Sequence, residues 1–376
     1  MKVIWLITRM IVGVLFIFSG LVKADDPLGL SYKMQEFFEL WNWQFLDHLA
    51  LAFSMLMIVF EVLAGVALLL GWKMNLFSWL LLALILFFCF LTGYAFLSGR
   101  VRECGCFGDC IPLSSGASFA KDIGLLLLIL FLFPARKRIR PALNGKVCAV
   151  ILSLTVVFTF SLQWFVMQHL PIVDCLAYRR GVNIQQAMKA PPGARPDSSV
   201  ITLVYQHQGT TVEFTSDKFP ADFNDSYHFV KRYDRLVRKG NDQPSIRDFV
   251  LLSAEGGDST EAILDRKGYK IFLFTWGISE RRPDWVKPFS ILFGLAKAKQ
   301  VPVFVISNDY ESAAAWATVE GINKDLTLLK CDATAVKTAA RANPTIYLIK
   351  GSTILEKWGF ADFENALPDL SALPEQ

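Results

Sequence analysis

Three cysteines fall within seven residues of this chain, in the segment Cys104-Gly-Cys106-Phe-Gly-Asp-Cys110. The segment is a short polar break between two long apolar runs. A thiolate attacks disulfide sulfur and binds soft metals. Such a dense cluster of cysteines therefore favours reversible sulfur chemistry or metal binding over packing. Which of these is available depends on where the chain places the cluster.

The chain of 376 residues is 53% hydrophobic, and the apolar residues are concentrated in its first 170 positions. Five runs approach or exceed the length of about 20 residues that a helix needs to cross a bilayer. They are residues 3–22, 49–72, 74–97, 118–134 and 147–168. Their apolarity is continuous rather than alternating, which predicts membrane helices and not barrel strands. The first run is long and no A-x-A-like site follows it, so we expect a retained helix and not a signal peptide.

The basic residues predict the orientation of these helices. Residues 135–146 carry five Lys and Arg residues and no acid, which is typical of a cytoplasmic loop. The N-terminus is then cytoplasmic, and the cysteine cluster and everything after about residue 170 lie outside, in the periplasm or the cell exterior. Disulfides persist there. We therefore expect a multi-pass protein of the inner (cytoplasmic) membrane in contact with lipid. The net charge of +4 comes mostly from the cytoplasmic loop and indicates no nucleic-acid partner.

Two ionisable residues, Arg9 and Glu61, lie inside the apolar runs. Charges in a membrane are costly and usually face a partner or a cavity. The long Arg9 side chain could reach Glu61, and the pair would then either fix the helix register or line a proton or quinone site. The structural pair is the preferred interpretation. If the thiols are reoxidised at the membrane, a membrane quinone is the expected acceptor of their electrons.

The opening of the chain, from Arg9 through Gly13, Phe16, Ser19-Gly20 and Lys23 to Asp26-Pro27, resembles that of DoxX-family membrane proteins. Glu61-Val-Leu-Ala-Gly65 is similar to the second helix of that family, and Cys104-Gly-Cys-Phe-Gly108 resembles the related family of the methylamine-utilisation protein MauE. The resemblance covers roughly residues 3–135. It implies a four-helix membrane bundle with outward thiols, connected with disulfide formation or maturation of an exported partner. The fifth apolar run adds a helix to that bundle.

Cys175 follows the fifth run by a few residues, so it should reach the same surface as the cluster. Three thiols cannot all pair with one another, and one is therefore free or bonded to Cys175. A zinc site of four cysteines competes with this, although C-x-C followed by x3-C is not the usual C-x2-C spacing of zinc ligands. Cys104, Cys106, Cys110 and Cys175 could form structural disulfides or take part in redox exchange, and the sequence favours neither over the other. Metal binding is less favoured than both.

The composition changes after Cys175. Residues 171–243 are predicted to be an external linker, polar and Pro-rich over 178–200, with a hairpin at 201–205 and 210–214 and a further strand near 227–237. Residues 244–376 alternate buried strands, among them 248–252, with helices and close on a hairpin, which predicts a mixed α/β sheet. We divide the chain accordingly at residues 170 and 243.

The order of elements in residues 244–376 resembles the thioredoxin fold. Ala342-Asn-Pro344-Thr-Ile-Tyr-Leu-Ile349 is similar to the segment that holds the cis-proline of that fold, and Pro344 is then cis. Where the fold usually carries Cys-x-x-Cys, this chain has Gly277-Ile-Ser-Glu280. We therefore expect no independent thioredoxin activity, and we expect Cys331, the sole thiol of the region, to be buried and inert. The surface at Trp276 and Pro344 could hold an extended client peptide, by analogy with the fold.

These observations predict a five-helix, DoxX/MauE-like membrane protein with an external thioredoxin-like domain that lacks its dithiol. The function expected is thiol–disulfide exchange or disulfide maturation of an exported partner, which would make the chain a thiol–disulfide oxidoreductase. The alternative is a membrane-anchored assembly protein, not an enzyme, with permanent disulfides. A transporter built on Arg9 and Glu61 has the least support, because the five runs contain no internal repeat.

Overall fold

The computed structural model of the chain describes residues 2–99, 108, 110–111, 113–195, 198–238, 240, 242–278, 284–322 and 325–374. Within these ranges, five helices are long and apolar enough to cross a membrane. They are α1 (Lys2–Ala24), α3 (Ala50–Leu70), α4 (Met74–Ser98), α5 (Ser115–Leu132) and α6 (Gly145–His169). Each predicted run is confirmed to within one helical turn.

Small residues bring α1 and α3 into close antiparallel contact. A Cβ atom on Gly65 would lie 2.8 Å from the carbonyl oxygen of Gly13, and one on Gly20 would lie 2.5 Å from a methyl group of Val62. Glycine at such positions lets two helix backbones approach, which is how membrane helices pack without a hydrophobic driving force between them. The register of these two helices fixes the depth of every polar residue on them.

A short helix, α2 (Pro27–Leu40), lies against α3 at one end of the bundle. Asp26 caps it, accepting a hydrogen bond from the N–H of Gly29 at 2.9 Å, and Ser54 of α3 donates to the carbonyl of Pro27 at 2.8 Å. This end carries the C-terminal ends of α1, α4 and α6. We call it the domain end, because the C-terminal α/β region sits on it.

The C-terminal half contains two sheets among its described residues. The first is antiparallel, with the order β2-β1-β3, and confirms the predicted hairpin and third strand. The second has the order β6-β5-β4-β7-β8, in which β4, β5 and β6 are parallel and β7 and β8 antiparallel. The strands are β1 (Ser198–His207), β2 (Thr210–Thr215), β3 (His228–Arg238), β4 (Tyr269–Thr275), β5 (Val303–Ser307), β6 (Thr327–Lys330), β7 (Thr345–Lys350) and β8 (Thr353–Gly359).

Helices cover both faces of the five-stranded sheet. They are α8 (Thr260–Leu264) and α11 (Ala333–Ala339) on one face, and α9 (Val286–Ala298), α10 (Tyr310–Val319) and α12 (Ala366–Ser371) on the other. Alternate residues of β4 point into the two cores, Phe274 into the first and Leu273 into the second. The predicted mixed α/β architecture is confirmed.

The structure differs from the sequence-based expectations in two places. Residues 248–252 form no regular strand; Leu252 makes only isolated bridges to Asp258 and Lys330. Part of the predicted linker belongs to the α/β core, since Tyr178 and Ile184 are buried in it. The reason is that β8 is an edge strand, and this segment pairs with its outer side: the N–H of Gly181 donates to the carbonyl of Ile354 at 2.8 Å. A short helix, α7 (Ile184–Ala187), follows.

Candidate functional site

A disulfide joins the membrane bundle to the start of the α/β region. It connects Cys110, in the connection between α4 and α5, with Cys175, which follows α6, and their Cα atoms are 4.8 Å apart. Both cysteines are half-buried. The pairing of Cys175 with the cluster is thus formed, with Cys110 as its partner. Cys104 and Cys106 lie outside the described residues. Because disulfide sulfur is not a thiolate ligand, a zinc site that uses all four cysteines is incompatible with this structure.

The segment that carries Cys175 is held from both sides. The Asp25 carboxylate, just after α1, accepts hydrogen bonds from the N–H groups of Ile172 at 2.7 Å and Val173 at 3.1 Å. Asp174 pairs with Lys357 of β8 at 2.8 Å. Burial raises the pKa of Asp25, and the two backbone hydrogen bonds oppose this rise. Burial lowers the pKa of Lys357, and Asp174 opposes that.

A second contact ties the α/β region to α2. Arg341 donates from Nε to the Asp26 carboxylate at 2.9 Å, and its side chain is only 6% exposed. Its guanidinium also lies 5.2 Å from the centre of the Tyr32 ring, within the range of a cation–π contact. Farther along the interface, His169 of α6 pairs with Asp362 at 2.9 Å.

Arg341 stands two residues before Asn343-Pro344, whose peptide bond is cis as predicted. The N–H of Trp276 donates to Asn343 Oδ1 at 2.9 Å, and its indole N–H donates to the carbonyl of Ala340 at 3.2 Å. The amide of Asn343 donates back to the Trp276 carbonyl. Trp276 and Pro344 are therefore brought to one edge of the sheet, but Pro344 is buried and Trp276 is half-buried. This edge lies toward the bundle.

The predicted pairing of Arg9 with Glu61 is wrong. Both oxygens of Glu61 accept hydrogen bonds from Lys23, at 2.9 and 2.7 Å. Arg9 lies at the other end of the bundle, where a Cβ atom on Gly71 would be 2.6 Å from its guanidinium. The cause is the antiparallel register of α1 and α3, which sets Gly13 against Gly65 and leaves Arg9 level with the end of α3. Arg9 and Glu61 therefore cannot line a common quinone site.

Lys23 is the intramembrane residue that the sequence reasoning missed. Its ammonium also donates to Ser19 at 3.1 Å and lies 4.7 Å from the centre of the Phe88 ring. At the end of an apolar run, a lysine is typical of the membrane interface. The signal that could have identified it is the helix register, because Gly20 packs beside Val62 and Glu61.

A second buried polar contact joins α4 and α5. Thr92 donates to the Asp122 carboxylate at 3.0 Å, and Lys121 pairs with it at 2.8 Å. Asp122 is fully buried. The sequence-based prediction missed this residue too, because Asp122 lies within the predicted fourth apolar run and was not singled out there.

Cys331 is buried in the α/β core, as predicted. Burial raises the pKa of its thiol to about 12. A thiol of such high pKa is almost entirely protonated at neutral pH and is a poor nucleophile.

Comparison with protein families assigns the membrane region. Residues 1–135 match the family described as methylamine utilisation protein MauE. The membrane region is thus similar to the MauE family over α1 to α5. The match covers α1 to α5, so α6 and the whole C-terminal half lie beyond the MauE region. Residues 199–239, which form β1 to β3, match a domain of unknown function, DUF8463. No curated protein and no solved structure matches the chain.

Proposed function

We propose that this MauE-type membrane protein takes part in thiol–disulfide exchange, or in the disulfide maturation of an exported partner. The observation that carries the proposal is the Cys110–Cys175 disulfide, which stands where the bundle meets the α/β region. Cys104 and Cys106 precede Cys110 by six and four residues in the sequence. Exchange needs a disulfide and a nearby thiolate, and Cys104 and Cys106 are proposed to supply thiols close to Cys110.

The proposed step is an attack by a thiolate on Sγ of Cys110. A new sulfur–sulfur bond forms as the Cys110–Cys175 bond breaks, and Cys175 leaves as a thiolate, which takes up a proton from water. When the attacking thiolate belongs to a client dithiol, its second thiol completes the exchange: the client gains a disulfide and Cys110 and Cys175 become thiols. Exchange with a second disulfide oxidises them again, so the electrons balance.

The α/β region is proposed to position the client. Its mixed sheet, in which the antiparallel strands β7 and β8 follow the parallel strands, and the cis peptide bond before Pro344 support the proposal that it is a thioredoxin-like domain. A dithiol is missing where that fold would carry it, since Gly277 and Ile278 follow Trp276. Any chemistry must then come from the cysteines of the bundle. The Trp276–Asn343 edge lies toward the bundle, which fits a role in presenting a polypeptide to those cysteines.

The proposed orientation puts this chemistry on the extracytoplasmic side of the inner membrane. The basic residues of 135–146 connect α5 to α6 at the end of the bundle opposite the α/β region. Positive residues favour the cytoplasmic side, so the N-terminus is proposed to be cytoplasmic and the α/β domain periplasmic or extracellular.

Thiol trapping in intact cells tests the proposal. Cells are quenched with acid and alkylated with a mass-tagged maleimide, with and without a brief pulse of reductant, and the tags on Cys110 and Cys175 are counted. We expect a mixed population that returns to the disulfide after the pulse, and loss of client oxidation in Cys110→Ser. Cys331→Ala is the matched control and should leave the cycle unchanged. A disulfide that never opens, together with normal function of Cys110→Ser, would contradict exchange.

A non-enzymatic scaffold is the second candidate. It is favoured by the ion pairs Asp26–Arg341, His169–Asp362 and Asp174–Lys357, which together with the disulfide hold the α/β region on the bundle. A permanent bridge would serve that purpose. The two functions separate in the trapping experiment, since a scaffold keeps its disulfide closed throughout and loses function only when residues 244–376 are removed.

A further inference from the structure

Three carboxylates meet where the bundle joins the α/β region, and each has a different partner. Asp25 binds the backbone of residues 172 and 173, Asp26 binds Arg341, and Asp174 binds Lys357. Asp25 and Asp174 therefore act on the segment that carries Cys175. Asp26, although adjacent in sequence to Asp25, caps α2 and binds Arg341 of the α/β region.

Packing holds the segment of Cys175 at its ends, where Leu170 and Leu176 are buried. Between them, the side chains of Ile172 and Val173 are 65% and 60% exposed, so the protein leaves most of each uncovered. Their backbone N–H groups, in contrast, are both satisfied by one carboxylate. Hydrogen bonds to an ionised acceptor are about twice as strong as neutral ones, and here two of them converge on Asp25. Asp25 thus holds the part of the segment that packing leaves exposed, while Asp174 binds Lys357 next to Cys175.

The other half of the disulfide rests on the same turn of α1. Gly108, two residues before Cys110, lies beside Val22: a Cβ atom on this glycine would be 3.8 Å from the Val22 carbonyl oxygen. α1 itself is fixed by its close contact with α3. Residues 22–25 therefore form a rigid support against which both chain segments of the disulfide lie.

We propose that Asp25 is a positioning residue that sets the redox equilibrium of the Cys110–Cys175 pair. The inference rests on the proposed function, for which this equilibrium decides how readily the disulfide is used. When the bond is reduced, the contacts of Asp25 keep Cys175 close to Cys110 and so maintain a high effective concentration of one thiol beside the other. Without them the reduced segment gains conformational freedom, and re-forming the bond becomes less favourable.

The equilibrium is measured on the purified full-length chain in detergent, in a Cys104→Ser, Cys106→Ser background that leaves one reactive pair. The reaction consumes two glutathione thiols, gives one glutathione disulfide, and converts the Cys110–Cys175 bond to two thiols. We expect Asp25→Ala to lower the equilibrium constant for disulfide formation about tenfold, which for two electrons corresponds to about 30 mV. Asp25→Asn keeps one acceptor oxygen and should shift it less, in the same direction.

Asp26→Ala is the matched control. It removes a helix cap and a buried ion pair with Arg341, and neither of these two contacts includes the segment of Cys175. We expect its equilibrium constant to stay within twofold of the parent. An Asp25→Ala constant within twofold of the parent would overturn the inference, and so would equal shifts in the two variants. If Asp25→Ala does not fold, Asp25→Asn against Asp26→Asn decides in the same way.

This result is separable from that of the trapping experiment. A disulfide that never opens in cells, but whose equilibrium still depends on Asp25 after purification, would refute exchange and leave the positioning role intact. An active cycle in cells without any dependence on Asp25 would do the reverse.

Discussion

Replacing Glu61 by Gln removes the carboxylate that, among the described residues, pairs with the Lys23 ammonium. Both side chains of the pair are 3% exposed, so water cannot solvate the charge that remains. Ser19 and the Phe88 ring stay in contact with it, but neither carries a negative charge. The substitution therefore leaves a cation in the interior of the bundle with neutral partners.

The cost follows from the burial of the pair. Removing one partner of a buried ion pair destabilises a protein by about 3–5 kcal/mol, whereas replacing both partners by apolar residues is often nearly neutral. We expect Glu61→Gln and Lys23→Met each to lose about 3 kcal/mol of unfolding free energy. The double variant Lys23→Met, Glu61→Leu should lose less than either single variant, because no charge is left in the bundle.

The assay is unfolding of the purified chain in mixed micelles of increasing denaturing detergent, followed by circular dichroism. Lys33 and Glu36 provide the control: their side chains are 29% and 40% exposed and their contact is 3.5 Å long, and pairs with such access to water contribute at most about 1 kcal/mol. Glu36→Gln should therefore be close to the parent. Single variants within about 1 kcal/mol of the parent, or a double variant as unstable as the sum of the two, would refute the reasoning.

Three further predictions concern packing, pH and docking. Gly65→Ala should destabilise the bundle by about 1–3 kcal/mol in the same detergent assay, because its Cβ would crowd the carbonyl of Gly13, whereas Gly124→Ala, with nothing within 4 Å, should not. Burial lowers the pKa of Lys270 to about 8 from 10.5, so the cost of charging it is fully present below pH 8 and disappears as the pH approaches 10.5. In urea unfolding followed by tryptophan fluorescence, the α/β region should therefore gain stability between about pH 7.5 and 9.5. Lys270→Met should show no such gain, because it has no ammonium group to lose its charge. Arg341→Ala should loosen the α/β region from α2, which faster hydrogen exchange in residues 340–345 would report.

The membrane helices and the sheet were predictable because their signals are local. Long apolar runs and buried strands are determined by consecutive residues, and the five spans and most strands follow from them. The similarity to MauE was also predictable, since the motif at residues 104–108 carries the resemblance that the MauE match confirms. The segment 248–252 shows the limit of such local signals. Its apolar residues predicted a strand, but they pack in the core without pairing with a neighbouring strand along their length.

The site was less predictable because its contacts join residues far apart in the chain. Asp25 binds a segment 147 residues away, and no local pattern marks either side of that contact. The choice between Arg9 and Lys23 as the partner of Glu61 depends on how α1 slides along α3, which the glycines at positions 13, 20 and 65 determine. Composition identifies an intramembrane charge, whereas only helix register identifies its partner.

The proposed exchange requires that the disulfide opens without separating the two parts, and the arrangement of contacts at the junction is compatible with this. Two ion pairs fix the α/β region directly to the bundle, Asp26–Arg341 with side chains 13% and 6% exposed and His169–Asp362 with 30% and 23%. The Asp174–Lys357 pair ties the connecting segment to β8. None of these contacts includes a sulfur atom, so reduction of Cys110–Cys175 removes one bond of the junction and leaves the others. The Trp276–Asn343 edge would then keep its place beside the bundle while the two thiols react, as the proposed exchange at this junction requires.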